Sequence, residues 1–184
     1  MKKFISLIIM IVLTAGLYAQ KDVTKFLGIP VDGTKSEMIQ KLKAKGFTYN
    51  QKEDLLEGEF NGEKVFIAVQ TNNNKVWRIA VLDKRFRDET KIRIRFNNLL
   101  SQFENNSKYA SYESNAMLED DENISYGITV KKKQYEADFV QKQADGSINM
   151  NNIVWFTISY ISYNEYGIAL YYENHNNKAN GDDL

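Results

Sequence analysis

Paired carboxylates and strand-borne aromatics are the side chains of this 184-residue sequence whose types and spacing suit chemistry. Glu57 and Glu59 stand two apart, as do Glu136 and Asp138, and in a strand that spacing puts each pair on one face. Two such acids hydrolyse glycosides when one protonates the leaving oxygen and the other acts as base or nucleophile. Alternating charge on a solvent-facing strand explains the same spacing without any reaction. The run Glu119, Asp120, Asp121 and Glu122 offers hard oxygens, but it lacks the alternate spacing and turn glycine of a calcium loop and reads as a solvated loop. His175 is the only histidine and there is no cysteine, so a two-histidine metal site, a thiolate nucleophile and a disulfide all drop out. His175 sits among Asn174, Asn176 and Asn177 and reads as the start of a solvated tail. No glycine-rich phosphate loop and no serine elbow is present. The expectation is a protein that is not an enzyme, with no catalytic residue, no cofactor and no metal.

The aromatics point to binding. In the strand around Trp77, the positions Trp77, Ile79 and Val81 form an apolar face and Arg78 lies on the other, which predicts Trp77 in the core. In the strand around Trp155, the apolar face is Val154, Phe156, Ile158 and Tyr160, leaving Trp155 beside Thr157 and Ser159. Trp155 is therefore expected on an open sheet face, with Tyr171 or Tyr172 beside it, as the binding surface. Aromatics of this kind bring large contact area with few rotatable bonds. Cover by the polar segment 105–123 is the competing reading.

These side chains need elements to position them. Thr34 and Glu37 form a capping box, Met38, Ile39 and Leu42 share a helical face, and Gly46 supplies the left-handed stop. Strands are predicted over 55–60 and 63–69 around the Asn61-Gly62 turn, then over 75–82 after a turn at 72–74, with a short strand at 47–51. A second helix is predicted over 88–103 from Ile92, Phe96, Leu99, Leu100 and Phe103. Strands over 124–131, 134–142, 152–162 and 166–173 follow. The order helix-then-strands thus occurs twice, and residues 73–77 (NNKVW) recur as 151–155 (NNIVW). The expected organisation is a signal peptide over 1–19, a first helix-plus-sheet unit over 20–85, a second over 86–174, and a disordered polar tail over 175–184.

Residues 1–19 read as a cleavable export signal: Lys2 and Lys3, an apolar stretch from Phe4 to Leu13, and Ala19 ahead of a cut before Gln20. The apolar stretch is shorter than the roughly 20 residues that cross a bilayer, so no stable membrane insertion is expected after cleavage. Without cysteine there is no lipoprotein anchor. The formal net charge is zero, with a basic excess up to Asn105 and an acidic excess beyond it, which disfavours nucleic acid as a partner. The basic residues Lys84, Arg85, Arg87, Lys91, Arg93 and Arg95 read as a solvated face of the second helix and its lead-in.

Two helix-plus-antiparallel-sheet units of this size resemble the bacterial β-lactamase inhibitor protein fold. The opening run 28–38 (GIPVDGTKSEM) resembles the start of uncharacterised secreted proteins of Gram-negative bacteria, and of small outer-membrane-assembly lipoproteins in which a glycine step precedes a helix. The resemblance implies tandem repeats with one sheet face open for binding, and no functional residue. The expectation is an α+β fold, two units in tandem with helices packed on one sheet face. The expected function is an exported binding module, periplasmic or extracellular, with a protein partner and a glycan as the second partner class. A secreted carboxylate-dependent hydrolase and an envelope structural factor are the alternatives.

Overall fold

The structure, a computed structural model, describes residues 23–178. The expected signal at 1–19 and its cut before Gln20 lie outside the described residues. The described chain opens with a tight hairpin, β1 (Lys25–Phe26) paired with β2 (Ile29–Pro30). The first helix, α1 (Lys35–Ala44), starts as its sequence dictates: the Thr34 hydroxyl accepts from Glu37 N–H (3.3 Å) and the Glu37 carboxylate accepts from Thr34 N–H (2.9 Å). It ends at Gly46, whose φ of 98° lets Phe47 N–H return to Leu42 O at 3.2 Å.

Four antiparallel strands follow: β3 (Thr48–Asn50), β4 (Leu55–Phe60), β5 (Glu63–Asn72) and β6 (Lys75–Asp83). Asn61 and Gly62 both have positive φ, as do Asn73 and Asn74, so both hairpins close with the turn twist that strands prefer. Then come α2 (Glu89–Glu104), β7 (Tyr109–Ser111), α3 (Ile124–Thr129), β8 (Glu136–Gln141), β9 (Asn152–Ser162) and β10 (Glu165–Asn174). A single 3₁₀ turn at His175–Asn177 ends the described chain. Strands β3 to β10 form one eight-stranded antiparallel sheet in the order β3-β4-β5-β6-β10-β9-β8-β7. The fold is α+β, with three helices among the described residues packed on this sheet. Met38 and Leu42 of α1, Phe96 and Leu100 of α2 and Ile124 of α3 enter one core with Ile67, Ile79, Phe156 and Leu170. No described helix is long and apolar enough to cross a membrane.

Three expectations need correcting. The strand expected over 124–131 is α3. Ile124 and Ile128 fit both a two-residue and a four-residue repeat, and local bonds choose the helix: Asn123 caps Tyr126 N–H (2.8 Å) and Glu89 accepts from Ile124 N–H (2.5 Å). Gly127 gives the ring of Tyr135 its place, since a Cβ there would stand 2.1 Å from the Tyr135 hydroxyl. The polar tail expected from His175 does not begin there. His175 N–H donates to Asn151 O (2.9 Å), and Asn177 donates to Asp32 (2.8 Å) and to Val76 O (2.9 Å), so the turn is tied to β6, to the start of β9 and to the loop before α1. The third correction is Trp77. Thr71 pairs with Val76 but Gln70 pairs with Arg78, so Trp77 is an extra residue in a bulge. The bulge turns Val76 into the core, fully buried, and leaves Trp77 half-buried beside Arg78 on the other face. The short match at 73–77 and 151–155 leads into β6 and β9, which hold different places in the strand order.

Candidate functional site

The face of the sheet turned away from the helices carries the candidate site. Strand alternation delivers Tyr171 and Glu173 from β10, Trp155 from β9 and Ala80 from β6, and the β6 bulge adds both Trp77 and Arg78. Register sets them side by side: Tyr171 lies opposite Trp155 on one flank and Ala80 on the other, and Glu173 lies opposite Arg78. Trp155 and Tyr171 stack with ring centroids 4.2 Å apart and planes 24° apart. The Arg78 guanidinium sits 4.1 Å from the Trp77 ring centroid and 5.0 Å from that of Tyr171, with Trp155 at 5.9 Å. A cation held between aromatic faces is attracted by the negative faces of the rings. Trp77, Arg78, Tyr171 and Trp155 therefore form one continuous band of half-buried side chains.

Glu173 is the anchor of that band. Its side chain is only 3% exposed although it points away from the core. It accepts from Trp155 Nε1 (2.8 Å), pairs with Arg78 (2.5 Å) and meets His175 Nε2 (2.6 Å). Burial pushes its carboxyl up, but the bonds from His175 and Trp155 and the Arg78 charge outweigh that and hold it down at about 2. The only histidine of the chain, read from sequence as a solvated tail residue, is thus tied to a buried carboxylate. Asp138 lies opposite Trp155 on β8, and burial, with Glu136, Glu113 and Glu173 adding to it, raises its carboxyl.

Of the residues expected to bind, the structure brings Trp155 and Tyr171 together and separates Tyr172 from them. Tyr172 is one residue out of phase with Tyr171 and is buried on the helix-covered side, 4.9 Å from the Phe26 ring. Its burial, with Tyr109 beside it, raises the phenol well above its ordinary range. The segment 105–123 is bonded to β8 and to α2. After β7 it runs along the edge of β8, where Tyr112 N–H donates to Asp138 O (2.9 Å) and Asn115 bonds both backbone groups of Asp138. It then joins α2, Leu118 exchanging two 2.9 Å bonds with Asn97.

Sequence reasoning missed Arg78, Glu173, His175 and the outward place of Trp77. One signal was present: Glu173 is a lone charge closing the apolar run Ile168 to Tyr172, where a strand tolerates charge only if it is paired. The carboxylates weighed for hydrolysis do not converge. Glu57 pairs with Lys84, while Glu136 and Asp138 stand on another strand. A cavity of about 1000 Å³ on the helix side has Glu59 as the one carboxylate among its lining residues. The described residues hold no cluster of three or more metal-binding side chains. The basic segment is spent in part on internal pairs: Arg87 (2.9 Å) and Arg95 (3.1 Å) both reach the buried Asp83, and Arg93 faces Asp120 at 3.6 Å. No protein-family model, no curated protein and no solved structure matches the chain.

Proposed function

We propose that this chain is an exported, non-enzymatic binding module of the cell envelope that engages a protein partner through the helix-free face of its sheet. The observation that carries the reading is the Trp77–Arg78–Tyr171–Trp155 band, anchored by Glu173. Tryptophan, tyrosine and arginine are the residues that most often supply binding energy in protein interfaces. Here they are held in fixed relative positions by sheet register and by the carboxylate beneath, so little ordering cost remains for association. Lys2, Lys3 and the apolar stretch that follows support export.

The same reading takes the chain as two helix-plus-sheet units in tandem, each opening on a helix and contributing four later strands, with α3 set between β7 and β8 in the second. Its support is the strand order, in which β6 and β10, each the last strand after its helix, pair at the centre.

The test is affinity capture from envelope extract, read by mass spectrometry, with the wild-type chain and with Trp155→Ala, Arg78→Ala and Glu59→Gln. The expected result is a protein held by the wild type and by Glu59→Gln but released by both substitutions in the band. Retention by all four chains would put the interface elsewhere. Turnover of a glycan, peptide or ester that one Asp or Glu substitution abolishes would replace the binding reading with an enzymatic one.

A further inference from the structure

On the helix side, the cleft of about 1000 Å³ opens between the β1–β2 hairpin, the turn after Phe60 and the C-terminal end of α2. This is the upper end of the size range of small-molecule sites. Its floor is apolar: Phe60, Leu99, Phe103, Leu170 and Tyr172. Lys25, Lys108 and Lys142 stand on its rim, Lys108 and Lys142 joined by a 2.8 Å backbone bond. None of the three lysines pairs with a carboxylate among the described residues, and Glu59 is the sole acid lining the cleft. An apolar floor under a net positive rim is complementary to a molecule with an apolar body and an anionic head.

A second, independent observation points to the same cleft. Leu27, at the hairpin tip, has φ 51° and Gly28 has φ 79°. A two-residue turn of this kind favours Asn before Gly, because a γ-branched side chain is strained in the left-handed region. Leu27 is nevertheless 38% exposed, and it lines the cleft. The hairpin that presents it is fixed from below. Phe26 packs on Phe60 and Tyr172, and the Gln141 amide bonds both Lys25 N–H (2.6 Å) and Lys25 O (3.0 Å). Strain retained at a rigidly held position is characteristic of ligand clamps.

We infer that this cleft binds a single-chain aliphatic anion, its chain on the Phe60–Phe103–Tyr172 floor under Leu27 and its carboxylate among Lys25, Lys108 and Lys142. The site is separate from the Trp155 face and does not depend on it.

Calorimetric titration of the intact protein with decanoate tests the assignment, with decyltrimethylammonium and acetate as the comparison probes. Decanoate is expected to bind one to one, and the two comparison probes not to bind. The triple substitution Lys25→Ala, Lys108→Ala, Lys142→Ala is expected to weaken decanoate about tenfold or more. Leu27→Asn suits the turn better, so it is expected to keep or raise the melting temperature while weakening decanoate several-fold. Failure of decanoate to bind, equal binding of the cationic chain or of acetate, or full affinity in Leu27→Asn would each overturn the inference. So would loss of binding in Trp155→Ala, which would move the ligand to the other face.

Discussion

Asp83 and Glu173 have equally shielded carboxylates, each about 3% exposed, and each meets arginine, yet the two do opposite work. Asp83 points toward the helix side. It takes Arg87 from the lead-in to α2, Arg95 from α2 itself, and Ile168 N–H from β10 (3.3 Å), so it ties three elements at one point. Glu173 points to the other face, and its partners are an arginine, an indole N–H and an imidazole that themselves form the surface. A buried charge stabilises only when every neighbour is satisfied. At Asp83 the neighbours are structural; at Glu173 they are the candidate interface, and there Arg78 Nε is buried without a hydrogen-bond partner.

The largest effect expected from this contrast is Asp83→Ala. It leaves Arg95 facing a buried gap and leaves Arg87 with Glu63 (2.6 Å) and the carbonyl of Arg85 (2.8 Å), and removing one partner of a buried ionic cluster costs about 3–5 kcal/mol. Urea denaturation measures it. A loss below about 1 kcal/mol would mean that the arginines swing to solvent and that Asp83 is no staple.

Glu173→Gln is expected to cost less, about 2 kcal/mol, since Gln still accepts from Trp155 and Arg78 can reach water. Its larger consequence falls on the surface: without the charge beneath, Arg78 loses its hold between the rings, and partner capture is expected to drop while the fold persists. If Glu173→Gln destabilised as much as Asp83→Ala, the two clusters would be alike and the division of labour would fall.

The pH dependence follows from the depressed carboxyl of Glu173. A group whose folded value is lowered contributes stability that is present above its ordinary value of 4.5 and is lost as pH falls through about 2. Unfolding free energy of the wild type is therefore expected to fall between about pH 4.5 and pH 2 more steeply than that of Glu173→Gln. Parallel curves would refute the assignment of this acid loss to Glu173.

The sequence carried some of this and concealed the rest, for reasons that lie in the residues. The α1 cap, the Asn61-Gly62 turn and the α2 apolar stripe depend on neighbours within one or two turns, and they stand where the pattern placed them. Trp155 was placed by clean alternation in β9, which has an unbroken register against β8 through this stretch. Trp77 was misplaced because its bulge is a property of two strands: only the step between Gln70 and Thr71 on β5 reveals it. Strands of two or three residues, such as β1, β2 and β7, carry no period to detect. The Glu173–His175 pairing was hidden by the asparagines around His175, which looked solvated but fold the chain back onto Asn151 and Asp32.

The smallest expected effects separate the two tryptophans, and they sharpen the contrast at single-bond resolution. Trp155→Phe keeps a ring to stack on Tyr171 but deletes the Nε1 donor to Glu173, leaving a buried carboxylate one bond short, at a cost of about 1 kcal/mol. Trp77→Phe keeps a ring under Arg78 and deletes no bond to Glu173, so its cost is expected within about 0.5 kcal/mol. A core tryptophan at position 77, as simple alternation would have it, would instead leave a cavity and cost well above 1 kcal/mol. Urea unfolding of both variants decides between them. Iodide quenching of single-tryptophan chains gives the independent check, since two half-buried indoles on one face are both expected to be quenched. A large stability loss at Trp77→Phe, together with a quencher-resistant Trp77, would return that ring to the core and break the aromatic band in half.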